Sequence, residues 1–172
     1  MQQKPGSGFV GFWDDKQTAA LEEFRGMVAH FELGPEYDDY FLLRFLRARK
    51  FDVNASYTMF DNFMNWRRDE DVDNVRSFAY PEVQAIKESY PHGYHNVDKQ
   101  GRPIWIERIG KLNLKQLYEA TTEERQLRYF VREYERMILE RLPAASEAMG
   151  HRVEQGLAII DLAGASMKLA NS

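Results

Sequence analysis

Apolar residues recur at spacings of three and four along three segments in the first half of the chain. The stripes are Leu21, Phe24, Met27, Val28 and Phe31, then Leu42, Leu43 and Leu46, then Met59, Phe60, Phe63 and Trp66. Such spacing places each set on one face of a helix. Aspartates at positions 14–15 and 38–39 can cap the first two helices. The pattern predicts a helical module over residues 14–75, preceded by an irregular, glycine-containing arm over 1–13.

The region after this module changes to an extended pattern. A short helix is predicted near 81–89, and two extended stretches follow at 94–97 and 103–109. The intervening Asp98-Lys99-Gln100-Gly101 is typical of a turn that joins two antiparallel strands. The sequence therefore predicts a β-hairpin at the start of a second domain, which we assign to residues 76–172.

A long helix is predicted after this hairpin. Thr121 and Glu124 have the spacing of a capping box, with Thr121 as the N-cap. Helical spacing of apolar residues continues to Pro143, which should kink the helix because proline lacks the N–H that the helix needs. Gly150 is expected to end it.

The run at 157–162 is short and almost continuously apolar, which is typical of a parallel strand buried on both faces. Such a strand needs neighbouring strands and covering helices, yet only ten residues follow Leu162. We therefore expect an α/β fold whose sheet is incomplete and exposes apolar surface. A truncated chain, a natural short form, or a second chain that completes the sheet would each account for this pattern.

Composition excludes several classes of function. The net charge is −4, which argues against nucleic acid as a partner, and the absence of cysteine removes disulfides and thiolate metal sites. The four histidines lack the spacing of metal ligands, so neither a metal nor a cofactor is expected. No run approaches the roughly 20 apolar residues that span a membrane, so membrane contact should be peripheral.

Two motifs suggest phosphate chemistry on their own. Asp161 and Gly164 match the Asp-x-x-Gly segment of nucleotide-binding proteins, but the glycine-rich stretch at 6–11 lacks the following lysine of a phosphate loop. Capping of the next turn is the favoured role of Asp161. The basic residues at 44–50, by spacing alone, are a solvated helix face more often than a phosphate site.

Longer motifs resemble a known family. They are FLLRFLRARKFDV at 41–53, NWR at 65–67, YP at 90–91, DKQGRP at 98–103, EYE at 133–135, RLPA at 141–144 and GH at 150–151. The chain is similar in these to the CRAL-TRIO lipid-transfer family, in the Sec-fourteen-like branch that exchanges phosphatidylinositol and phosphatidylcholine. The resemblance implies a CRAL-TRIO N-terminal module of three to four helices, followed by an incomplete CRAL-TRIO lipid-binding sheet domain.

The resemblance also implies a function. It indicates a non-enzyme that binds phosphatidylinositol or a related apolar ligand and carries it between membranes, working in the cytoplasm with transient, peripheral membrane contact. Arg49 resembles the family's arginine for the inositol phosphate, and Tyr94, Trp105 and Tyr134 match aromatic positions of its ligand region. The alternative is a truncated or short-form interaction module that carries no lipid and docks on a protein partner covering the exposed sheet.

One departure from the family pattern concerns lipid choice. Members that bind phosphatidylcholine have a serine and a threonine on the buried strand, where this chain has Gly156 and Ala158. Neither residue offers a side-chain hydroxyl to the headgroup. The resemblance therefore implies that this chain disfavours phosphatidylcholine.

Overall fold

A computed structural model, which describes residues 6–165, divides the chain into two compact units, and the boundary in the sequence falls between Asp71 and Val72. The helices of the first unit are α1 (Asp15–Val28), α2 (Asp39–Ala48) and α3 (Val53–Asp69), with a 3-10 turn at Ala29–Phe31. Their predicted periodicity is confirmed. Phe24 and Phe60 are fully buried and meet edge to face, with ring centroids 5.9 Å apart.

Aspartate caps begin all three helices of the first unit. The Asp14 side chain accepts from the Gln17 N–H at 2.9 Å, and Asp38 accepts from the Phe41 N–H at 3.0 Å. The backbone N–H groups of a first helical turn have no partner within the helix, so each carboxylate satisfies one of them. The predicted starts at 14–15 and 38–39 are confirmed.

The second unit is an α/β arrangement around a three-stranded sheet. Its helices are α4 (Val83–Ser89), α5 (Leu114–Ala120), α6 (Glu123–Arg136) and α7 (Leu142–Met149), with 3-10 turns at Val72–Ser77 and Ile109–Lys111. Its strands are β1 (His92–Val97), β2 (Pro103–Glu107) and β3 (Leu157–Ile160), in the order β1-β2-β3. β1 and β2 form the predicted antiparallel hairpin, and β3 runs parallel to β2.

The capping residue of α6 was predicted one position too early. Thr122, and not Thr121, is the N-cap, and its hydroxyl accepts from the Arg125 N–H at 3.3 Å. Thr121 instead ends α5, a helix that the sequence did not predict, and its N–H donates to the Leu117 carbonyl. Either threonine could cap α6 on sequence grounds. Because Thr121 is bonded to Leu117 at the end of α5, Thr122 is the cap.

Ahead of Pro143, where a kink was predicted, a π-helical turn at Met137–Arg141 separates α6 from α7. The Leu142 N–H donates to the Met137 carbonyl, five residues back. Proline has no N–H to donate and crowds the preceding turn, so the helix widens ahead of it. Gly150 ends α7 in the left-handed conformation, with φ 67°, as predicted.

Within the apolar run at 157–162, Leu157–Ile160 forms a strand that pairs in parallel, as expected, but the prediction of burial on both faces was wrong for the residues that the structure describes. Ile159 and Ile160 are 47% and 54% exposed, and Leu162 is 61% exposed. Among residues 6–165, β3 is an edge strand of this sheet and β2 is the one strand that pairs with it. The expected exposed apolar surface is therefore confirmed.

Candidate functional site

A cavity of about 400 Å³ lies between one face of the sheet and helix α6, entirely within the second unit. It is lined by Tyr90, Tyr94, Pro103, Trp105, Glu107, Phe130, Glu133, Tyr134, Met137, Gly156, Leu157 and Ala158. Five of these residues are aromatic. Tyr134 is 65% exposed, and Gly156 and Ala158 are also exposed, so the cavity opens to solvent beside β3.

Strand pairing brings the sheet side of this cavity together. Tyr94 pairs with Trp105 across β1 and β2, and Trp105 pairs with Ala158 across β2 and β3. Directly paired residues point to the same face, so these three side chains form one row. Alternation along β2 puts Pro103 and Glu107 on that face as well.

Helix α6 supplies the opposite wall. Phe130, Glu133, Tyr134 and Met137 are spaced three and four residues apart, which places them on one face of the helix. Met137 comes from the first position of the π-helical turn. A Cβ built on Gly156 would lie 2.9 Å from Cε of Met137, so the missing side chain at 156 makes room for this methionine.

Glu133 is a buried acid in the cavity wall, surrounded by arginines. It is 8% exposed, and its Oε1 accepts from Nη1 of Arg136 at 3.3 Å. Its Oε2 accepts from Nη2 of Arg141 at 3.1 Å, and Arg132 lies 3.6 Å from Oε1. A buried carboxylate is costly unless it is paired, and three cations compensate this one.

Glu107 is in a different environment from Glu133. The indole N–H of Trp105 donates to its Oε2 at 3.3 Å, and burial raises the pKa of the Glu107 carboxyl. Desolvation disfavours the charged form of this carboxyl. The cavity therefore contains two different acids: Glu133, which is paired with arginines, and Glu107, whose pKa is raised by burial.

A buried histidine packs against the aromatic residues of the cavity wall. His92 Nδ1 lies 2.7 Å from the Tyr90 carbonyl, and its ring packs 5.3 Å from that of Trp105. A carbonyl can only accept, so Nδ1 carries the proton and Nε2 accepts from the Tyr129 hydroxyl at 3.2 Å. Burial, helped by the charge of Lys87, lowers the pKa of His92 to about 4.

Three of the four predicted site residues meet in this cavity, namely Tyr94, Trp105 and Tyr134. The fourth residue, Arg49, belongs to the first unit and is the C-cap of α2. It is exposed, and its Nη1 donates to the Ala48 carbonyl at 3.4 Å. Its neighbour Arg47 donates to the Gly8 carbonyl at 3.1 Å and stacks on the Phe9 ring at 4.1 Å.

Sequence reasoning missed several cavity residues, among them Glu107, Glu133 and Met137. Two signals were available: the alternation of residues 103, 105 and 107, and the helical spacing of residues 130, 133, 134 and 137. Each signal gives one wall, but neither shows that the two walls face each other.

The structure also shows the role of Asp161. Asp161 Oδ1 accepts from the Ala163 N–H at 2.9 Å, and its Oδ2 pairs with Arg108, so it caps the following turn as favoured. No group of three or more His, Asp or Glu side chains within residues 6–165 could hold a metal ion. In that part of the chain, no helix has the length and apolar character needed to cross a membrane.

Comparison with known proteins agrees with this arrangement. The model of the CRAL/TRIO, N-terminal domain matches residues 10–62, and that of the CRAL/TRIO domain matches residues 87–172, half of the chain. The chain belongs to the CRAL-TRIO family. All of the residues that line the cavity fall within the second of these matches.

Curated relatives refine the position of the chain within the CRAL-TRIO family. It is 44% identical over 165 residues to the SEC14 cytosolic factor of Kluyveromyces lactis, covering 95% of this chain and 55% of that protein. It is 39% identical over 156 residues to the Phosphatidylinositol/phosphatidylcholine transfer protein SFH9 of Arabidopsis thaliana, covering 89% and 27%. The Sec14 cytosolic factor of Schizosaccharomyces pombe is 38% identical over 166 residues, covering 96% and 58%. The chain thus spans about half the length of its SEC14 relatives.

Proposed function

We propose that this chain binds lipid in the cavity between α6 and the sheet and transfers it between membranes, with phosphatidylinositol as the first candidate. The observation that carries the proposal is the meeting of Tyr94, Trp105 and Tyr134 in one cavity of about 400 Å³. That volume falls in the range of small-molecule sites, which are apolar with a few placed polar groups.

The chemistry of the walls suits binding of an apolar ligand. Aromatic rings and Met137 offer a large apolar surface, and burial of ligand methylenes there is favourable by roughly 0.8 kcal/mol each. Glu133 is already paired with arginines, so its charge does not oppose an apolar occupant. These features support a role in binding rather than in catalysis.

Two observations bear on the identity of the lipid. The Arabidopsis thaliana relative is named a phosphatidylinositol/phosphatidylcholine transfer protein. The sequence resemblance implies that Arg49 is the residue for the inositol phosphate. A guanidinium binds phosphate through two parallel hydrogen bonds, which suits Arg49 to that role. The proposed setting is the cytoplasm, with transient contact at membrane surfaces.

The experiment that tests this proposal fills the cavity. Ala158→Phe places a ring in the row formed by Tyr94 and Trp105, and Ile159→Phe places one on the opposite face of the same strand. We expect Ala158→Phe to reduce transfer of radiolabelled phosphatidylinositol between vesicles at least fivefold, and Ile159→Phe to leave it nearly unchanged. Equal transfer by the two variants would contradict the cavity as the lipid site.

A second candidate is an interaction module that docks on a protein through β3. The observation that favours it is the exposed edge strand, where Ile159, Ile160 and Leu162 present apolar side chains. Unpaired strand edges readily pair with another chain. Failure of the unsubstituted chain to bind or transfer lipid would favour this candidate over the first.

A further inference from the structure

Arg141 contacts two residues that line the cavity from opposite sides. Its guanidinium carbon lies 4.0 Å from the ring centroid of Tyr94, a residue of β1. Its Nη2 donates to Oε2 of Glu133, a residue of α6, at 3.1 Å. The side chain therefore ties the sheet wall of the cavity to its helical wall.

The π-helical turn explains how Arg141 reaches both residues. An α-helix would pair the Leu142 N–H with the carbonyl four residues back, but here it pairs with Met137, five residues back. The widened turn starts with Met137, which lines the cavity, and ends with Arg141, which stacks on Tyr94. Such turns occur frequently at functional sites.

Charge compensation of Glu133 does not require Arg141. Arg136 donates to the same carboxylate at 3.3 Å, and Arg132 lies 3.6 Å from it. The pair with Glu133 fixes the direction of the Arg141 guanidinium, because a planar fork that is held at one end has few orientations left. Loss of Arg141 therefore leaves a paired acid, and its main effect should fall on Tyr94.

Tyr94 in turn contacts the other ring of its row. The Tyr94 and Trp105 rings meet edge to face, with centroids 5.0 Å apart and planes at 67°. An edge-to-face pair has a defined geometry, so a shift of one ring changes the space beside the other. Whatever holds Tyr94 therefore sets the width of the cavity at this row.

We propose that Arg141 is a positioning residue that clamps the Tyr94 ring against Trp105 and so determines which apolar ligands the cavity accepts. This inference rests on the proposed function, since it concerns the occupant of the same cavity. Arg141 acts through Tyr94 and not by contact with the ligand. Stacking on an aromatic ring distinguishes an arginine from a lysine at this position.

The test measures binding of a neutral fluorescent polyene, methyl cis-parinarate, to the 172-residue chain and its variants. Arg141→Lys keeps the positive charge and removes the planar stack on Tyr94. We expect its dissociation constant to rise about three- to tenfold. Arg136→Lys is the matched control, because Arg136 binds the same carboxylate, and we expect a change of less than about twofold.

A double-mutant cycle separates positioning from a general effect on the fold. In a Tyr94→Leu background, Arg141→Lys should produce no further loss of probe binding, because the ring that Arg141 holds is gone. Equal loss in both backgrounds, or equal loss for Arg136→Lys and Arg141→Lys, would overturn the inference while the proposed function stands. Failure of the unsubstituted chain to bind the probe would overturn both.

Discussion

Burial of His92 predicts a specific loss of stability in acid. The pKa of this imidazole is lowered from 6.5 to about 4 because its protonated form would have to lose water within the aromatic cluster. The unfolded chain thus binds a proton at higher pH than the folded chain does. The stability that the neutral ring contributes is fully present above pH 6.5 and is lost as the pH falls towards 4.

The size of this effect follows from the pKa difference. A lowering by about 2.5, at about 1.36 kcal/mol for each pKa unit, corresponds to about 3 kcal/mol between pH 7 and pH 4. About 2 kcal/mol of this is lost by pH 5. Losses of this size are a large share of the stability of an ordinary domain.

Urea unfolding followed by circular dichroism at pH 7, 6, 5 and 4.5 provides the assay. The free energy of unfolding should fall more steeply in the wild-type chain than in His92→Gln, which cannot take up a proton. Carboxyl groups with shifted pKa values, such as Glu107, titrate in both proteins and cancel in the difference. Parallel curves for the two proteins would refute the assignment of a neutral, buried His92.

Three further outcomes are expected. Arg49→Lys should lower phosphatidylinositol transfer severalfold and leave thermal unfolding unchanged. The control Arg68→Lys, at an exposed arginine of α3, should leave transfer unchanged. Equal transfer by the two variants would show that Arg49 is only a surface charge. Gly156→Ser with Ala158→Thr should raise phosphatidylcholine loading by roughly a hundredfold, because both hydroxyls can bind the headgroup. The double substitution should lower the free energy of unfolding by about 1 kcal/mol, because Met137 must move. Abundant phosphatidylcholine in a mass spectrum of lipid bound to the unsubstituted chain would contradict this prediction. Ile160→Lys should reduce binding of a hydrophobic dye, and unchanged dye fluorescence would show that the exposed strand is not the surface that binds it.

Local chemistry was sufficient to predict the hairpin and every described α-helix except α5. A cap and an apolar stripe act within one or two turns of a helix, so Asp14, Asp38 and Gly150 could be assigned from neighbouring residues alone. The same locality limits the prediction. Thr121 and Thr122 offer equivalent caps, and the choice between them depended on where α5 ends.

The cavity depended on contacts between residues far apart in the chain. The sequence, through its resemblance to a family, singled out Tyr94, Trp105 and Tyr134, but strand register and the packing of α6 brought their side chains to one space. Glu133 illustrates the difference. In the sequence it is one acid in a charged helix, and only the arginines that fold around it make it a buried, compensated carboxylate.

For strand β3, the sequence predicted the extended conformation correctly but not the burial. Its composition determined that residues 157–160 are extended, because apolar β-branched residues favour a pleated, packed surface. Burial is a property of what packs against a strand, and β2 is the only strand beside β3 within residues 6–165. The sequence by itself therefore determined the three described strands and every described α-helix except α5, while tertiary packing decided which side chains line a cavity and which stay exposed.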